Sequence, residues 1–207
     1  EWSEDIRSEV VIDATGARAG WSSIFLRDFL GSDWEAERTA QTNEYLMANV
    51  SDNEAVDIYF NSLVAPIGHA WIYPSEEKFA MAGIRGVRIH PDSALDEFIG
   101  REDPERLENS VPVGAYRGRL PVQGPLDSTV SDGILAVGSA AGQINPFSGH
   151  GLKYGLKAGL IAGRVAAEAV DERDCGEEKL LKYDSMWRKE FEKELKAGMM
   201  MQNSLSS

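Results

Sequence analysis

The stretch with the clearest capacity for chemistry is residues 133–152, GILAVGSAAGQINPFSGHGL, which contains no Asp, Glu, Lys or Arg. An apolar run at 134–137 ends in Gly138, and a Gly-His-Gly turn closes the stretch. This pattern predicts a buried strand, a tight loop and then a helix. Glycines let backbone N–H groups approach a ligand closely, and a helix N-terminus carries partial positive charge. The stretch therefore predicts a cradle for a cofactor that is an anion or an electron-rich ring.

A second stretch, residues 66–74 (PIGHAWIYP), alternates ring-bearing side chains with other residues. Alternation along a strand places His69, Trp71 and Tyr73 on one face. A row of rings is suited to binding a long apolar polyene. An ordinary half-buried strand with aromatic core residues has the same pattern, so the residues alone leave both interpretations open.

Composition and charge exclude several classes of partner. The formal net charge of −13 leaves no basic surface for nucleic acid or for an electrostatic anchor on anionic lipid. Cys175 is the single cysteine and lies in a polar run, which predicts a surface thiol in a reducing cytoplasm. The three histidines are scattered, so no metal site is predicted.

The uncharged stretch is long enough to suggest a membrane span. Its five glycines and its polar residues Gln143, Asn145 and His150 exclude that interpretation, because their cost in lipid is high. Glycines then recur every fourth residue from 151 to 163, with lysines between them. This repeat predicts close packing inside a soluble protein.

The remaining elements frame these two stretches. Residues 10–16, VVIDATG, predict a second buried strand with a glycine turn. A strand buried on both faces needs neighbours on both sides. Residues 134–137 supply one neighbour, so the chain is expected to lack a preceding half.

Other segments are predicted from local patterns: a helix over 21–30, an antiparallel meander over about 41–87, a short helix N-capped by Asp92 and an irregular segment over 115–126. Apolar residues three or four apart predict a long C-terminal helix. Those residues are Leu180, Tyr183, Trp187, Phe191, Leu195 and Met199.

VVIDATG followed much later by ILAVGSAAGQINPFSGHGLKYGLKAG is similar to the geranylgeranyl reductase family of FAD-dependent oxidoreductases, which have the para-hydroxybenzoate hydroxylase type of fold. The resemblance extends over essentially the whole chain but corresponds to the later part of such an enzyme. The family begins with a strand, a Gly-x-Gly-x-x-Gly loop and a helix that bind the ADP part of FAD. That loop does not occur in this sequence, so the resemblance implies a C-terminal fragment or one half of a split protein.

The implied fold is α+β: part of an FAD-binding Rossmann-like region, an antiparallel β-sheet substrate domain and C-terminal helices. Residues 1–40 and 110–170 are predicted to be the remnant of the FAD-binding domain. Residues 41–109 are predicted to form the substrate domain, and residues 171–207 the helical tail.

The resemblance implies FAD as the cofactor. It matches residues 14–16 to a turn near the dinucleotide, and Gly138 to the glycine of a Gly-Asp pair whose aspartate is here Ser139. It places the turn at 149–151 along the isoalloxazine ring, where backbone N–H groups stabilise negative charge on the reduced flavin. The implied cofactor-binding residues are Ala14, Thr15, Gly16, Gly138, Ser139, Pro146, Gly149, His150, Gly151 and Leu152.

Residues 66–74 resemble the family motif Pro-x-x-Tyr-x-Trp-x-Phe-Pro, followed by Gly-x-Gly, which shapes an isoprenoid pocket. In this chain His69 replaces the tyrosine, Tyr73 the phenylalanine and Arg85 the second glycine. The implied substrate-binding residues are Pro66, His69, Trp71, Tyr73, Pro74 and Gly83.

The resemblance implies a reductase that saturates C=C double bonds in a geranylgeranyl-type isoprenoid chain. That chain belongs either to an archaeal-type lipid or to a quinone. The expected electron donor is either reduced ferredoxin or a nicotinamide cofactor, and the sequence leaves the choice open. No catalytic residue is assigned: His150 is either an acid/base residue or structural. Arg117 and Arg119 either bind a substrate phosphate or are solvated.

Two alternatives remain open at the level of sequence. One is an oxidoreductase of the same fold, either like an electron-transfer flavoprotein dehydrogenase or a hydroxylase. The other is a non-catalytic binding fragment or subunit, since the fragment alone is expected to be inactive. The expected partners are the isoprenoid lipid, the electron donor and the missing N-terminal half, and the expected location is the cytoplasm with peripheral contact to a membrane.

Overall fold

The computed structural model describes residues 7–17, 39–51, 54–60, 65–101 and 104–205. The chain divides into two compact units. The first contains residues 1–34 and 121–201, and the second contains residues 35–120 and 202–207. The predicted helix over 21–30 lies outside the described residues.

The first unit is built on a three-stranded sheet in the order β1-β8-β7. β1 (Val11–Asp13) pairs in parallel with β8 (Ile134–Ala136), and β7 (Val130–Ser131) pairs antiparallel with β8. The residues of β8 are fully buried, as the apolar run predicts. The expected neighbour relation between residues 10–16 and 134–137 is therefore confirmed.

Helices complete the first unit. A short 3₁₀ helix (Gly138–Ala141) follows β8, and the long helix α3 (Leu152–Glu172) follows the loop after it. α4 (Glu177–Trp187), a π-helical turn (Arg188–Glu192) and α5 (Lys193–Leu205) then run continuously. Apolar residues recur here at every fourth position, and in an α-helix of 3.6 residues per turn their side chains would gradually rotate away from one face. The wider π turn compensates for this rotation.

The C-terminal helical pattern is confirmed, because its apolar residues from Leu180 to Leu195 lie in the core of the first unit. Leu180, Tyr183 and Trp187 are completely buried, and Phe191 is 1% exposed. They lie in one cluster with Leu135 of β8 and with the buried face of α3. This core holds the end of β8 and the start of α3 in fixed positions.

The second unit is a five-stranded sheet in the order β3-β4-β5-β2-β6. Its strands are β2 (Thr39–Ala48), β3 (Asp57–Tyr59), β4 (His69–Glu76), β5 (Phe79–Val87) and β6 (Val111–Pro121). The pairs β3–β4, β4–β5 and β2–β5 are antiparallel. The predicted meander is correct for β3, β4 and β5, but β2 lies beside β5 and not beside β3.

Two expectations for the second unit were wrong. The segment read as irregular contains strand β6, because pairing with β2 overrides its prolines and glycines. Helix α1 (Pro91–Arg101) begins at Pro91, so Asp92 lies in its first turn and does not precede it. A short helix, α2 (Pro104–Leu107), follows.

One face of this sheet is covered by α1. Leu95 and Phe98 of α1 lie in a cluster with Ala70, Ile72 and Ile84 of β4 and β5. Side chains alternate between the faces of a strand, so His69, Trp71 and Tyr73 lie on the opposite face. The α+β fold class predicted from the sequence is confirmed, whereas the predicted domain boundaries stay a prediction.

Candidate functional site

The carboxyl ends of the parallel strands β1 and β8 bring the first set of predicted site residues together. The Val137 N–H donates to the carbonyl oxygen of Asp13 at 2.9 Å, which keeps the two chains side by side as they leave the sheet. Residues 14–16 and Gly138 therefore emerge at the same edge. In open α/β sheets, ligands bind at this edge.

The turn after β1 is organised by Asp13, which the sequence analysis did not single out. The Thr15 backbone N–H and hydroxyl both donate to Asp13 Oδ1, at 2.9 Å and 2.6 Å. Asp13 is 4% exposed, and Gly16 has φ +78°. A carboxylate ending an otherwise apolar strand was the signal that could have identified this residue.

Residues 137–152, here called the glycine loop, connect β8 to α3. Gly138 has φ +62°, a left-handed conformation that favours glycine, and its N–H donates to Gln143 Oε1 at 2.8 Å. Gln143 Nε2 donates to Tyr183 Oη at 3.0 Å, and the Tyr183 hydroxyl donates to the Ala136 carbonyl at 2.8 Å. This buried chain of hydrogen bonds fixes the first turn of the glycine loop to the end of β8.

Burial raises the pKa of Tyr183, so its hydroxyl remains a proton donor. Gln143 and Tyr183 are both completely buried. Neither was predicted as a site residue. They lie 40 positions apart in the chain, so no local pattern could have paired them.

Asn145 shapes the second half of the glycine loop. Its Oδ1 accepts hydrogen bonds from the backbone N–H groups of Phe147 and Ser148, both at 3.1 Å. Its backbone N–H donates to the His150 carbonyl at 2.9 Å, and its carbonyl accepts from the Gly149 N–H at 2.8 Å. These bonds close a compact turn that contains the buried Pro146.

Helix α3 begins immediately after this turn. Gly151 is its N-cap, no side chain of the described residues caps the helix, and its first turn contains no acidic residue. Leu152 is 78% exposed and the His150 side chain is also exposed. The uncapped backbone N–H groups therefore carry the partial positive charge of the helix N-terminus at an accessible position.

The predicted close packing of the glycine repeat holds for only part of α3. A Cβ atom at Gly155 would lie 3.7 Å from Gly138 Cα, so the helix passes close to the first turn of the glycine loop. At Gly159 and Gly163, no atom of the described residues lies within 4 Å of such a Cβ, apart from the adjoining backbone of α3 itself. Among the described residues, the close packing that the repeat predicts is therefore not seen at these two positions.

The second set of predicted residues lies on β4 and β5 in the other unit. Four rings, Phe60, His69, Trp71 and Tyr73, follow one another and are here called the ring row. The centroid distances are 5.6 Å from Phe60 to His69, 5.5 Å from His69 to Trp71 and 5.8 Å from Trp71 to Tyr73. The Trp71 and Tyr73 rings are stacked, with 21° between their planes. The predicted face of His69, Trp71 and Tyr73 is therefore present, and Phe60 of the preceding segment extends it.

Gly83 is required by the position of the Trp71 indole. A Cβ atom at residue 83 would lie 2.3 Å from Trp71 Cζ2. The Trp71 Nε1–H donates to Glu44 Oε1 at 2.8 Å. Glu44 was not predicted as a site residue.

His69 and Arg85, two residues that depart from the family motif, lie directly opposite each other on β4 and β5. His69 is 8% exposed and Arg85 is 2% exposed. Burial lowers the pKa of Arg85 to about 10. Burial, and secondly the charge of Glu44, raise the pKa of Tyr73.

The remaining predicted motif residues surround the start and the end of β4. The Pro66 carbonyl accepts a hydrogen bond from the Val87 N–H at 2.9 Å. A Cβ atom at Gly68 would lie 1.7 Å from the Arg85 carbonyl oxygen, so only glycine fits there. Pro74 lies beside an irregularity in the pairing of β4 with β5.

Arg117, one of two arginines considered for a substrate phosphate, binds Asp92 in a bidentate ion pair. Its Nε and Nη2 atoms are each 2.9 Å from an oxygen of that carboxylate. The Asp92 carboxylate also accepts a hydrogen bond from Asn43 Nδ2 at 2.8 Å. These contacts favour a structural role for Arg117. They also provide partners for the negative charge of Asp92 in the second unit.

Two absences apply to the part of the chain that the structure describes. Its His, Cys, Asp and Glu side chains form no group of three or more that could hold a metal ion. Among its helices, none is both long and apolar enough to cross a membrane.

Comparison with known proteins connects both regions to one family. Residues 38–118, which contain the ring row, match the family model of the geranylgeranyl reductase catalytic domain. Digeranylgeranylglycerophospholipid reductase of Methanocaldococcus jannaschii is 34% identical over 187 residues, which are 88% of this chain and 47% of that protein. A digeranylgeranylglycerophospholipid reductase of Methanopyrus kandleri is 37% identical over 90% of this chain and 50% of its own length. The chain thus spans about half the length of the curated relatives that it matches.

Solved structures give the same result for the fold. A geranylgeranyl bacteriochlorophyll reductase-like protein from Thermoplasma acidophilum matches 97% of this chain and 51% of its own, with a TM-score of 0.82 and 26% identity. A flavin-dependent brominase matches 88% of this chain with a TM-score of 0.66 and 18% identity, which shows a shared fold alone. The predicted resemblance to the geranylgeranyl reductase family is confirmed.

Proposed function

From the similarity of this chain to the geranylgeranyl reductase family, we propose that it is part of an FAD-dependent reductase. The reaction is the saturation of C=C double bonds in a geranylgeranyl-type isoprenoid chain of a lipid or quinone. The observation that carries this proposal is the ring row, which lies on one sheet face inside the matching residues 38–118. A series of neighbouring rings, of which Trp71 and Tyr73 are stacked, provides the apolar surface that a polyene requires.

The residues of the glycine loop fit a flavin. Gly138 is left-handed, and the only described atom outside the adjoining chain within 4 Å of a Cβ atom there would be Gly155 Cα, so no described side chain from another element covers the backbone at this point. The N-terminus of α3 has no side-chain cap and no acidic residue in its first turn. An anionic group or an electron-rich ring is therefore compatible with this position.

The assignment of cofactor residues follows the resemblance to the family, and the common edge at which β1 and β8 end supports it. Residues 14–16 and Gly138 with Ser139 would hold the dinucleotide side of FAD, and Pro146 with residues 149–152 would hold the ring. A bound flavin supplies the hydride for reduction of the double bond. The backbone N–H groups at Gly151 and Leu152 would stabilise negative charge, as donors preorganised around an anion do.

The role of the ring row is to bind and orient the isoprenoid chain and to exclude water from it. His69, Trp71 and Tyr73 contact one another in series, so the chain would lie across a continuous surface. Pro66 and Pro74 at the ends of β4, together with Gly83, define the surface on which the rings lie. No residue is assigned as the proton donor.

The proposed enzyme includes further parts that correspond to the portion of its relatives which this chain does not match. Its relatives contain about as much sequence again, and that portion is proposed to bind the ADP part of FAD. The electron donor is proposed to be reduced ferredoxin or a nicotinamide cofactor. Location in the cytoplasm, with peripheral contact to the membrane that holds the lipid, stays a prediction.

The absorption spectrum of the purified full-length product of this reading frame tests the proposal. We expect the bands of oxidised flavin, their loss on anaerobic reduction and their return on addition of a digeranylgeranylglycerol phosphate. Mass spectrometry should show one H₂ added to the lipid for each double bond that is reduced. A fully saturated analogue of the lipid is the control, because it cannot accept hydride.

A colourless protein that takes up no added FAD would contradict the reductase. The non-catalytic binding subunit would then be the remaining interpretation. Reoxidation that is equally fast with the saturated analogue would show that the isoprenoid is not the oxidant.

A further inference from the structure

We infer that Glu44 is a positioning residue for Trp71, and that their contact across strand β5 fixes the ring row for an unsaturated apolar chain. The inference rests on the proposed function, because it concerns the surface to which the isoprenoid would bind. It goes beyond that function by assigning a role to a residue outside the aromatic motif.

The strand register places the two residues on one line across the sheet. Glu44 of β2 is opposite Gly83 of β5, and Gly83 is opposite Trp71 of β4. Neighbouring strands lie about 4.8 Å apart, so the backbones of Glu44 and Trp71 are roughly 10 Å apart. Two long side chains can meet close to the sheet over that distance when the residue between them has no side chain.

Gly83 provides this gap. The indole lies directly over it, since a Cβ atom there would be 2.3 Å from Cζ2 and 2.7 Å from Nε1 of Trp71. Trp71 therefore extends across the central strand toward β2. Glu44 accepts its Nε1–H at 2.8 Å on the far side.

The hydrogen bond has a charged acceptor and a largely buried donor. Trp71 is 9% exposed, and hydrogen bonds to a carboxylate are shorter and stronger than those between neutral groups. A buried indole N–H without an acceptor is unfavourable. Removing the carboxylate therefore favours rotation of the indole away from Gly83.

Movement of Trp71 would disturb the neighbouring rings. Tyr73 stacks on one side of the indole at 5.8 Å, and His69 contacts it on the other at 5.5 Å. The orientation of the Trp71 plane therefore determines whether the ring row is continuous. Glu44 acts on the apolar surface through Trp71 and does not itself need to contact the bound chain.

The first measurement is the NMR resonance of the Trp71 indole N–H in the 207-residue chain, assigned by its loss in Trp71→Phe. In Glu44→Gln the amide oxygen still accepts the hydrogen bond, so the resonance should remain close to its original position. In Glu44→Leu the acceptor is absent, so we expect the resonance to move upfield. A resonance that is unchanged in Glu44→Leu would overturn the contact.

The second measurement is the dissociation constant of all-trans-geranylgeraniol for the same proteins, from ligand-induced changes in intrinsic fluorescence. We expect Glu44→Leu to raise the dissociation constant about tenfold, the effect of losing one charge-assisted hydrogen bond that orients the surface. Glu44→Gln should restore most of the binding. Glu97→Leu and Glu97→Gln are the matched controls, since Glu97 is an exposed glutamate of α1 in the same unit.

The outcomes separate the inference from the proposed function. Binding that is equal in the original chain and in Glu44→Leu would overturn the positioning role and leave the proposed substrate class intact. No binding by the original chain, and none by the full-length product of this reading frame, would overturn both, and the hydrogen bond would then be structural only. If Glu44→Leu proves unfolded by circular dichroism, Glu44→Gln and Trp71→Phe decide: equal binding by Trp71→Phe and the original chain would overturn the role.

Discussion

The glycine loop and the ring row use glycine for opposite reasons. Gly138 adopts φ +62°, and a Cβ atom there would make only an ordinary contact at 3.6 Å with Gly155 Cα. Gly83 lies in a regular strand, but a Cβ atom there would overlap the Trp71 indole. In the glycine loop, glycine is required because of its backbone conformation. In the ring row, glycine is required because the Trp71 indole occupies the space where a side chain would lie.

The same contrast extends to what surrounds each glycine. The glycine loop is held by hydrogen bonds that begin at backbone groups and end in the buried pair Gln143 and Tyr183. The ring row is held by contacts among side chains, with Glu44 as the polar partner of Trp71. The glycine loop presents backbone groups, so it is suited to a ligand that is recognised through N–H donors. The ring row presents side chains, so it is suited to a ligand that is recognised by its shape.

The largest expected effect is at Gly83. Gly83→Val forces the buried indole out of its position, and we expect a loss of about 2–3 kcal/mol in the free energy of unfolding, as for overpacked cores. Urea unfolding measures this loss. Gly114→Val is the matched control, because Gly114 lies in β6 of the same sheet and its Cβ would meet its neighbours at 3.6 Å or more. Equal losses in the two variants would show that space at Gly83 is not limiting.

The next effect concerns the buried hydrogen bonds of the glycine loop. Tyr183→Phe removes the donor to Ala136 and the acceptor for Gln143, and we expect a loss of about 2 kcal/mol in the free energy of unfolding. Hydrogen exchange at the Gly138 N–H should also become faster. Tyr154→Phe is the control, because its hydroxyl binds the partly exposed Glu194. A loss no larger than that of the control would contradict a role for the buried chain of hydrogen bonds.

The smallest effect is at Gly138 and sharpens the comparison. Gly138→Ala introduces left-handed strain of about 1–2 kcal/mol without a steric overlap. Gly138→Asn should be less destabilising than Gly138→Ala, since Asn tolerates this conformation better. At Gly83 the order should be reversed, because Asn is larger than Ala. The thermal unfolding temperatures of the Ala and Asn variants at positions 138 and 83 check this reversal. The same order of stability at both positions would contradict the idea that glycine is required for conformation at one position and for space at the other.

Sequence alone was sufficient wherever the information is local. The period of two residues in β4 placed His69, Trp71 and Tyr73 on one face, and this face is present. The period of the C-terminal helix identified Leu180, Tyr183 and Trp187, which are completely buried. The apolar run after Gly133 is a buried strand, and its expected neighbour, the strand at residues 10–16, pairs with it as β1.

Only the tertiary structure determined contacts between residues far apart in the chain. Strand β6 was read as irregular because its glycines and prolines are unfavourable locally, yet pairing with β2 makes it a strand. The predicted cofactor and substrate residues remain predictions, although the structure brings each set together within its own unit.

Glu44 and Tyr183 show the physical reason most directly. Glu44 bonds Trp71 across 27 positions, and Tyr183 bonds Gln143 across 40. The residues that neighbour Glu44 in β2 and Tyr183 in α4 along the chain do not indicate which distant side chain each of them will bond. The partner is decided by strand register in one case and by helix–loop packing in the other, and both arise only when the whole unit folds.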